Sequence, residues 1–524
     1  MQYGDNSMHF SDLNKTAVSS SLACFAVAAF VNFCNPSLAS AQTQSFELQG
    51  AGAYNAEEIL SFAAQLELQR TGAMTAEGIA RAIETIYRED GYFLAEASVS
   101  RDGRTIVLDE GEIGSISIEG VDQRTFNLIS GYFRSVSGKQ GVTLAEFERA
   151  VMLTEDIQSV AVSAEIYYPA GQDTAHVRVV AEQLDTSSSY VTLDNPAREF
   201  GDAATLTFSQ EYISLLTPGD FFRFELSGTA AFDGDEDDFY GSMAYRSPLS
   251  VSGTYGEIYL GNAVGGRDAT GTLRQTDLNG STIIFAIGHP VIRDIDTYGY
   301  ALFEARRSSS DSDVDGISTD FESTVNVIAG SWIYGRALPN GGMFEYATNL
   351  SFGLRVSDAN GFDDGDKDFW HLRAGAGYQQ PVSWFGENSS FRAEIWGQYT
   401  TDRLPGTEEF YLGGIDDERG YTFAEVQGDS GVSAAFQAGR DFFPQSNSVR
   451  RFRPLGFVDF GYVENNDPSA AETDSEFLSS VGFGVDLEFE NRFNATAYVA
   501  VPTTSGPETD SGEPAFYLSL SKSW

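Results

Sequence analysis

From residue 190 to the C-terminus, apolar and polar residues alternate with a period of two in segment after segment. In 391–399, Phe391, Ala393, Ile395, Gly397 and Tyr399 alternate with Arg392, Glu394, Trp396 and Gln398. In 481–489, Val481, Phe483, Val485, Leu487 and Phe489 alternate with Gly482, Gly484, Asp486 and Glu488. Successive strand side chains point to opposite faces, so this period predicts strands with one apolar side. Sixteen candidate strands begin near 190, 203, 220, 239, 253, 281, 296, 321, 343, 370, 390, 430, 454, 478, 492 and 514.

A soluble sandwich would alternate in the same way, so the connectors have to discriminate. Links after even-numbered strands are short and carry proline or basic residues, as in Pro218-Gly219-Asp220, His289-Pro290-Val291-Ile292-Arg293, Pro339-Asn340-Gly341 and Arg450-Arg451-Phe452-Arg453-Pro454. Links after odd-numbered strands hold the acid clusters at 233–238, 311–315, 363–368, 408–418, 464–476 and 508–513. Short turns at one end and long loops at the other are the asymmetry of an outer-membrane β-barrel. The last strand closes on an aromatic, Trp524, which suits a segment that barrel-assembly machinery could read. Sixteen strands enclose a lumen wide enough for an aqueous path.

Residues 45–186 follow a different rhythm. A short strand at 46–49 is followed by helical spacing over 56–69 and 75–89, with Ile79, Ile83 and Ile86 on one face, then strands at 92–100 and 104–109. The order repeats as strand 114–119, helices 122–134 and 143–155, and strands 160–168 and 175–182. Thr143 with Glu146 forms a capping box at the start of its helix.

Composition narrows the function classes. Acidic residues outnumber basic ones 76 to 32, giving a net charge of −44, and phosphate binding needs the opposite sign, so nucleic acid is excluded as a partner. The N-terminus reads as a secretory signal over residues 1–41, with an apolar run at 17–33 and an Ala39-Ser40-Ala41 cleavage site. Both cysteines, Cys24 and Cys34, lie in that segment, so the mature chain is expected to have no thiol chemistry and no disulfide. No later apolar stretch approaches the ~20 residues of a spanning helix, and no Walker-type glycine loop is present.

Two βααββ units in tandem after a signal resemble POTRA domains. The resemblance is carried by Gly91-Tyr92, Asp109-Glu110-Gly111-Glu112-Ile113 and Ile116-Ser117-Ile118-Glu119-Gly120. The connector 402–429 contains Tyr411-Leu412-Gly413-Gly414, Glu418-Arg419-Gly420-Tyr421 and Gly428-Asp429-Ser430-Gly431, and Phe457-Val458-Asp459-Phe460-Gly461 follows about forty residues on. Together with Leu193-Asp194-Asn195 and Tyr245-Arg246-Ser247-Pro248-Leu249, these segments resemble the two-partner-secretion transporters of the TpsB type, the haemolysin secretion/activation (ShlB/FhaC/HecB-like) family.

The resemblance implies a fold and a site. The fold is an α+β arm of two POTRA-like βααββ domains (42–112 and 113–186), then an all-β, 16-stranded antiparallel transmembrane barrel (187–524). In that family the loop corresponding to 402–429 folds back into the lumen and carries a (V/I)RG(Y/F) motif at its tip. Arg419-Gly420-Tyr421 matches it, with Glu418 in place of the aliphatic residue. Alternation gives Val458, Phe460 and Tyr462 to lipid and Asp459 to the lumen, and the resemblance implies an Arg419–Asp459 pair acting as a pore latch.

The implied function is secretion of a large TpsA-like exoprotein, captured through its N-terminal secretion domain by the periplasmic arm. Other expected partners are outer-membrane lipid and, during biogenesis, the barrel-assembly machinery. No cofactor and no enzymatic activity are expected. The alternatives are an assembly factor that inserts other barrels and a plain diffusion porin; two units without a longer arm weigh against the first, and the arm itself against the second. With about four residues between the cleavage site and the first strand, the helix that commonly plugs such pores is expected to be absent.

Two segments mimic other chemistry. Gly428-Asp429-Ser430-Gly431 resembles a serine-protease nucleophile segment, but a triad needs a positioned histidine, and only His176, His289 and His371 lie beyond the signal. Asp311, Asp313, Asp315-Gly316 and Glu322 match the spacing of a calcium loop. Their flanks read as strands rather than helices, so the ordinary reading is a solvated acidic loop and the alternative a loose divalent-cation site.

Overall fold

The computed structural model describes residues 46–172, 174–195, 203–231, 238–267, 276–314, 321–357, 368–415, 417–445, 448–468 and 473–524. The signal segment 1–41, any helix ahead of the first strand, Asp315 and the side chains of Asp313 and Glu322 lie outside the described residues. Asp311 is placed in the ladder opposite Glu322, on the two arms of a β-hairpin.

The N-terminal region consists of two βααββ units. The first is β1 (Glu47–Gln49), α1 (Ala56–Thr71), α2 (Ala76–Glu89), β2 (Glu96–Val99) and β3 (Thr105–Asp109). The second is β4 (Ile113–Glu119), α3 (Gln123–Tyr132), α4 (Leu144–Glu155), β5 (Val160–Tyr167) and β6 (Ala175–Gln183). Each sheet places its last strand in the middle, parallel to the first and antiparallel to the second. The helices start where side chains can satisfy otherwise orphaned N–H groups: Asn55, Thr75 and Asp122 accept from the first turns, and Thr143 with Glu146 forms the reciprocal box.

Each unit has its own core, Ile79, Ile83, Tyr87, Ile106 and Leu108 in the first and Ile129, Phe133, Phe147, Leu153 and Val177 in the second. The strand expected from residue 92 begins only at 96, because Tyr92 to Ala95 form a turn after Gly91, whose φ of +92° ends α2. That turn joins the two units. Gly91 O accepts from Leu144 N at 2.8 Å, Gly111 O accepts from Gly141 N at 2.9 Å, and Phe93 packs on Phe147. The Glu110 carboxylate ties the junction to the β1–α1 loop and to α2 through Gly52 N, Ala53 N and the Tyr87 hydroxyl, at 2.7, 2.8 and 3.0 Å.

From residue 187 the chain is a closed antiparallel barrel. Its strands are β7 (Ser187–Asp194), β8 (Ala203–Ile213), β9 (Phe221–Ala231), β10 (Asp238–Pro248), β11 (Tyr255–Arg267), β12 (Thr276–Arg293), β13 (Thr297–Val314) and β14 (Phe321–Ala337). They continue with β15 (Met343–Ser357), β16 (Trp370–Val382), β17 (Ser389–Tyr399), β20 (Ser430–Arg440), β21 (Val449–Glu464), β22 (Ser475–Phe489), β23 (Phe493–Pro502) and β24 (Ala515–Ser523); a small hairpin, β18 (Phe410–Leu412) and β19 (Val426–Gly428), sits between β17 and β20. Each barrel strand pairs with its sequence neighbour, and β24 closes on β7 from Ser519↔Asp194 to Ser523↔Tyr190. Among the described residues no helix is long and apolar enough to cross a membrane; the crossing elements are the strands.

Two segments expected to be turns are strand. The run 289–293 is the end of β12, and 450–454 is the start of β21. Proline lacks the ladder N–H and is tolerated where a neighbour is missing. Pro290 lies past the last residue paired to β11, Gly288, and Pro454 lies past the last residue paired to β20, Leu455. Pro248 and Pro381 stand in the same relation to β9 and β15.

Candidate functional site

The connector between β17 and β20 folds onto the inner wall of the barrel. Strand β21 identifies that wall. Val458, Phe460 and Tyr462 are exposed and apolar, whereas the alternate residues Phe457, Asp459 and Val463 are buried. A buried Asp on a strand whose other face is apolar marks the lumenal side. What buries it is the connector.

The tip of the connector turns on glycine. Gly413, Gly414 and Gly420 have φ of +106°, +113° and +108°, a region that side-chain-bearing residues rarely adopt. At Gly420 a Cβ would also approach Pro502 Cδ to 3.2 Å. This turn aims Arg419 at β21. Its Nε donates to Asp459 Oδ2 at 2.8 Å and its Nη2 to Asp459 Oδ1 at 2.7 Å, the two-pronged geometry that suits guanidinium and carboxylate. Nη1 donates to Gln437 Oε1 at 3.2 Å, and the guanidinium lies 3.5 Å over the Phe457 ring. With side chains 10% and 1% exposed, the pair is desolvated and its fork is fixed from several sides.

The other two motif residues are anchored as well. Gly420 N donates to the Tyr517 hydroxyl at 3.0 Å, on the last strand. The Tyr421 hydroxyl is fully enclosed, with the carbonyls of Ser479 and Thr504 at 2.8 and 2.7 Å to donate to, and it accepts from Ser479 N at 3.1 Å. Glu425 accepts from Glu508 N and Thr509 N at 2.8 and 2.7 Å, joining the tip to the β23–β24 connector.

Glu418, where the family motif has an aliphatic residue, is completely buried. Its Oε2 accepts from Gly413 N at 3.2 Å, and its Oε1 has no hydrogen-bond partner among the described residues. Burial first, then the like charges of Asp417 and Asp459, push its carboxyl up to about 8.

Of the acid cluster 408–418, the structure encloses Glu408 as well as Glu418. Glu408 is 1% exposed at the base of the connector. Arg306 Nη2 on β13 donates to its two oxygens at 2.8 and 2.7 Å, and His371 Nε2 on β16 lies 3.1 Å from Oε2. Burial would raise this carboxyl, but Arg306, His371 and Arg373 outweigh it and hold it at about 2. The acids are inside because the connector is inside, which no local pattern announces.

The protease-like segment has a structural task. Asp429 accepts from Leu404 N at 2.5 Å and Asn466 N at 2.7 Å, closing the base of the connector, while Ser430 Oγ bonds to Thr400. His371 reaches Glu408, not Ser430.

Comparison with known proteins bears on the family and the fold. The family model described as haemolysin secretion/activation protein ShlB/FhaC/HecB matches residues 173–488. No curated protein matches the sequence. Among solved structures, the fold is similar to CdiB from Escherichia coli, at a TM-score of 0.76 and 15% identity, covering 94% of this chain and 93% of that one. It is similar to CdiB from Acinetobacter baumannii, at 0.72 and 14%, covering 92% and 89%. A more distant likeness is to BamA from Haemophilus ducreyi lacking POTRA domains 1–3, at 0.52 and 13%, covering 91% and 99%. Identities this low speak for the fold alone, whereas the family match spans more than half of the chain. The chain belongs to the haemolysin secretion/activation family and is an outer-membrane β-barrel transporter of the TpsB type.

Proposed function

We propose that this transporter exports a large partner exoprotein by two-partner secretion. The two βααββ units act as POTRA domains in the periplasm and capture the N-terminal secretion domain of the unfolded partner, by adding a strand to an exposed sheet edge. The partner then threads the lumen and folds outside. The connector 402–429 serves as a latch, with Arg419, Gly420, Tyr421 and Asp459 fixing its closed position. None of these residues is catalytic.

The observation that carries this reading is the two-pronged Arg419–Asp459 bond, which holds a connector inside a barrel that follows two βααββ units. A desolvated ion pair is costly to break on one side only, which suits a device with a closed and an open state. The test is export of a co-expressed partner exoprotein, comparing wild type with Arg419→Ala and Asp459→Ala. The reading expects both variants to export poorly, and export at the wild-type level by both would overturn it. An assembly factor would instead show its defect in the insertion of other barrels.

A further inference from the structure

The connector carries two buried ionic anchors of opposite polarity. At the tip the connector supplies the cation, Arg419, and the wall supplies the anion, Asp459 on β21. At the base the connector supplies the anion, Glu408, and the wall supplies Arg306 on β13, 2.7 Å away, and His371 on β16. The backbone of Glu408 is held too. Its carbonyl accepts from Arg373 Nη2 at 3.1 Å and from Gln398 Nε2 at 3.0 Å, on β16 and β17. The His371 ring fits its place as a donor, since Nδ1 has no partner among the described residues and Nε2 faces the carboxylate.

The two anchors grip different arcs of the barrel. Strands β14, β15, β16, β17 and β20 lie between β13 and β21 in the barrel order. The β18–β19 hairpin joins the anchors, through Phe410↔Gly428 and Leu412↔Val426. Breaking the Arg419–Asp459 bond therefore removes the ionic hold on the tip and leaves the base bound. Each anchor, once broken, leaves charge buried without its partner, which is the condition under which a buried ion pair resists opening most.

We infer that Glu408, held by Arg306 and His371, is a second latch that positions the connector independently of Arg419–Asp459, so that full clearance of the lumen requires both to open. This rests on the reading of the connector as a latch but not on the identity of any exoprotein. It assigns Glu408, Arg306 and His371 a positioning role, and limits movement after release of the tip to the residues between the two anchors.

The test is ionic conductance of the full-length protein in planar bilayers, with no exoprotein present. Heat-modifiable migration on gels first establishes that each variant is folded. In the Arg419→Ala background, Arg306→Met should raise mean conductance several-fold over Arg419→Ala alone, and Arg306→Lys, which retains a cation for Glu408, should not. If Arg306→Met adds nothing to Arg419→Ala, or if Lys and Met behave alike, the second latch is refuted. Should Arg306→Met fail to fold, Glu408→Gln, which keeps the shape and removes the charge, replaces it with the same two outcomes. Export at the wild-type level by both variants in the earlier test would overturn the secretion reading without deciding this conductance measurement, and a null conductance result would leave the export test standing.

Discussion

The carboxyl group of Glu418 occupies the space that a side chain at position 461 would fill. A Cβ built on Gly461 would collide with Glu418 Oε1 and come within 2.7 Å of Leu412 Cδ1. The last glycine of the Phe457-Val458-Asp459-Phe460-Gly461 segment thus makes room for the residue next to Arg419, and the two motifs fit each other by shape as well as by charge.

Gly461→Ala is therefore expected to unseat the tip, at a cost of about 1–3 kcal/mol typical of overfilling a packed site. Thermal unfolding of the purified barrel and its conductance both report this. Glu418→Ala in the same chain should recover part of the loss, whereas a loss of equal size in both would point away from this contact.

Glu418 also gives the seated tip a pH dependence with a definite sign. Its ordinary value of 4.5 is raised to about 8 in the closed state. Between those values an unseated Glu418 gives up its proton while the seated one keeps it. Seating is therefore strongest at or below about pH 4.5 and weakens as pH rises through about 8. Conductance measured from pH 5 to 9 should rise in wild type and stay flat in Glu418→Gln.

Arg419→Lys should behave almost as severely as Arg419→Ala. A lysine supplies charge but not the planar fork that reaches both oxygens of Asp459 and stacks on Phe457. Loss of one partner of a buried pair costs about 3–5 kcal/mol. A double-mutant cycle with Asp459→Asn measures the coupling, and near-additive effects would contradict the geometry.

Tyr421→Phe removes one hydroxyl and leaves Ser479 N without that acceptor. A loss of about 1–3 kcal/mol is expected, read as earlier thermal unfolding with an unchanged strand content by circular dichroism.

In the N-terminal region, Glu110→Ala should loosen the junction of the two units, because three donors lose their acceptor. Limited proteolysis of the full-length protein is expected to cleave near residues 50–54 faster than in wild type, with the barrel fragment unchanged.

Strand identity was legible because period-two alternation and connector parity are local. The starts expected at 203, 321, 343, 370 and 430 are the observed ones. Starts at 281 and 454 fell five residues late, since glycine, proline and arginine near the strand ends were taken for turns. The Arg419–Asp459 contact spans forty residues and came from family resemblance, not from periodicity. Glu408 had no such guide. Its partner Arg306 is 102 positions away, and an acid inside an acidic run looks solvated until the connector is known to fold inward. His371 was noticeable only as one of few histidines, and Gly461 only as part of a motif.

Asn195 has a bearing on how the chain comes to be finished. Its Nδ2 donates to Phe516 O at 2.7 Å, its Oδ1 accepts from Leu518 N and its backbone N donates to Leu518 O at 3.1 Å, so it bridges residues more than 300 positions apart. Strand β7 is made early and must wait, edge open, for β24 to be delivered. An unpaired edge is a template for wrong pairing, and contacts this distant form slowly. The seam therefore works as a completion check: a chain cut short before β24 leaves two sticky edges with nothing to mate with but each other's neighbours. Quality control in the envelope would meet that species as an aggregating sheet, not as a slightly smaller pore.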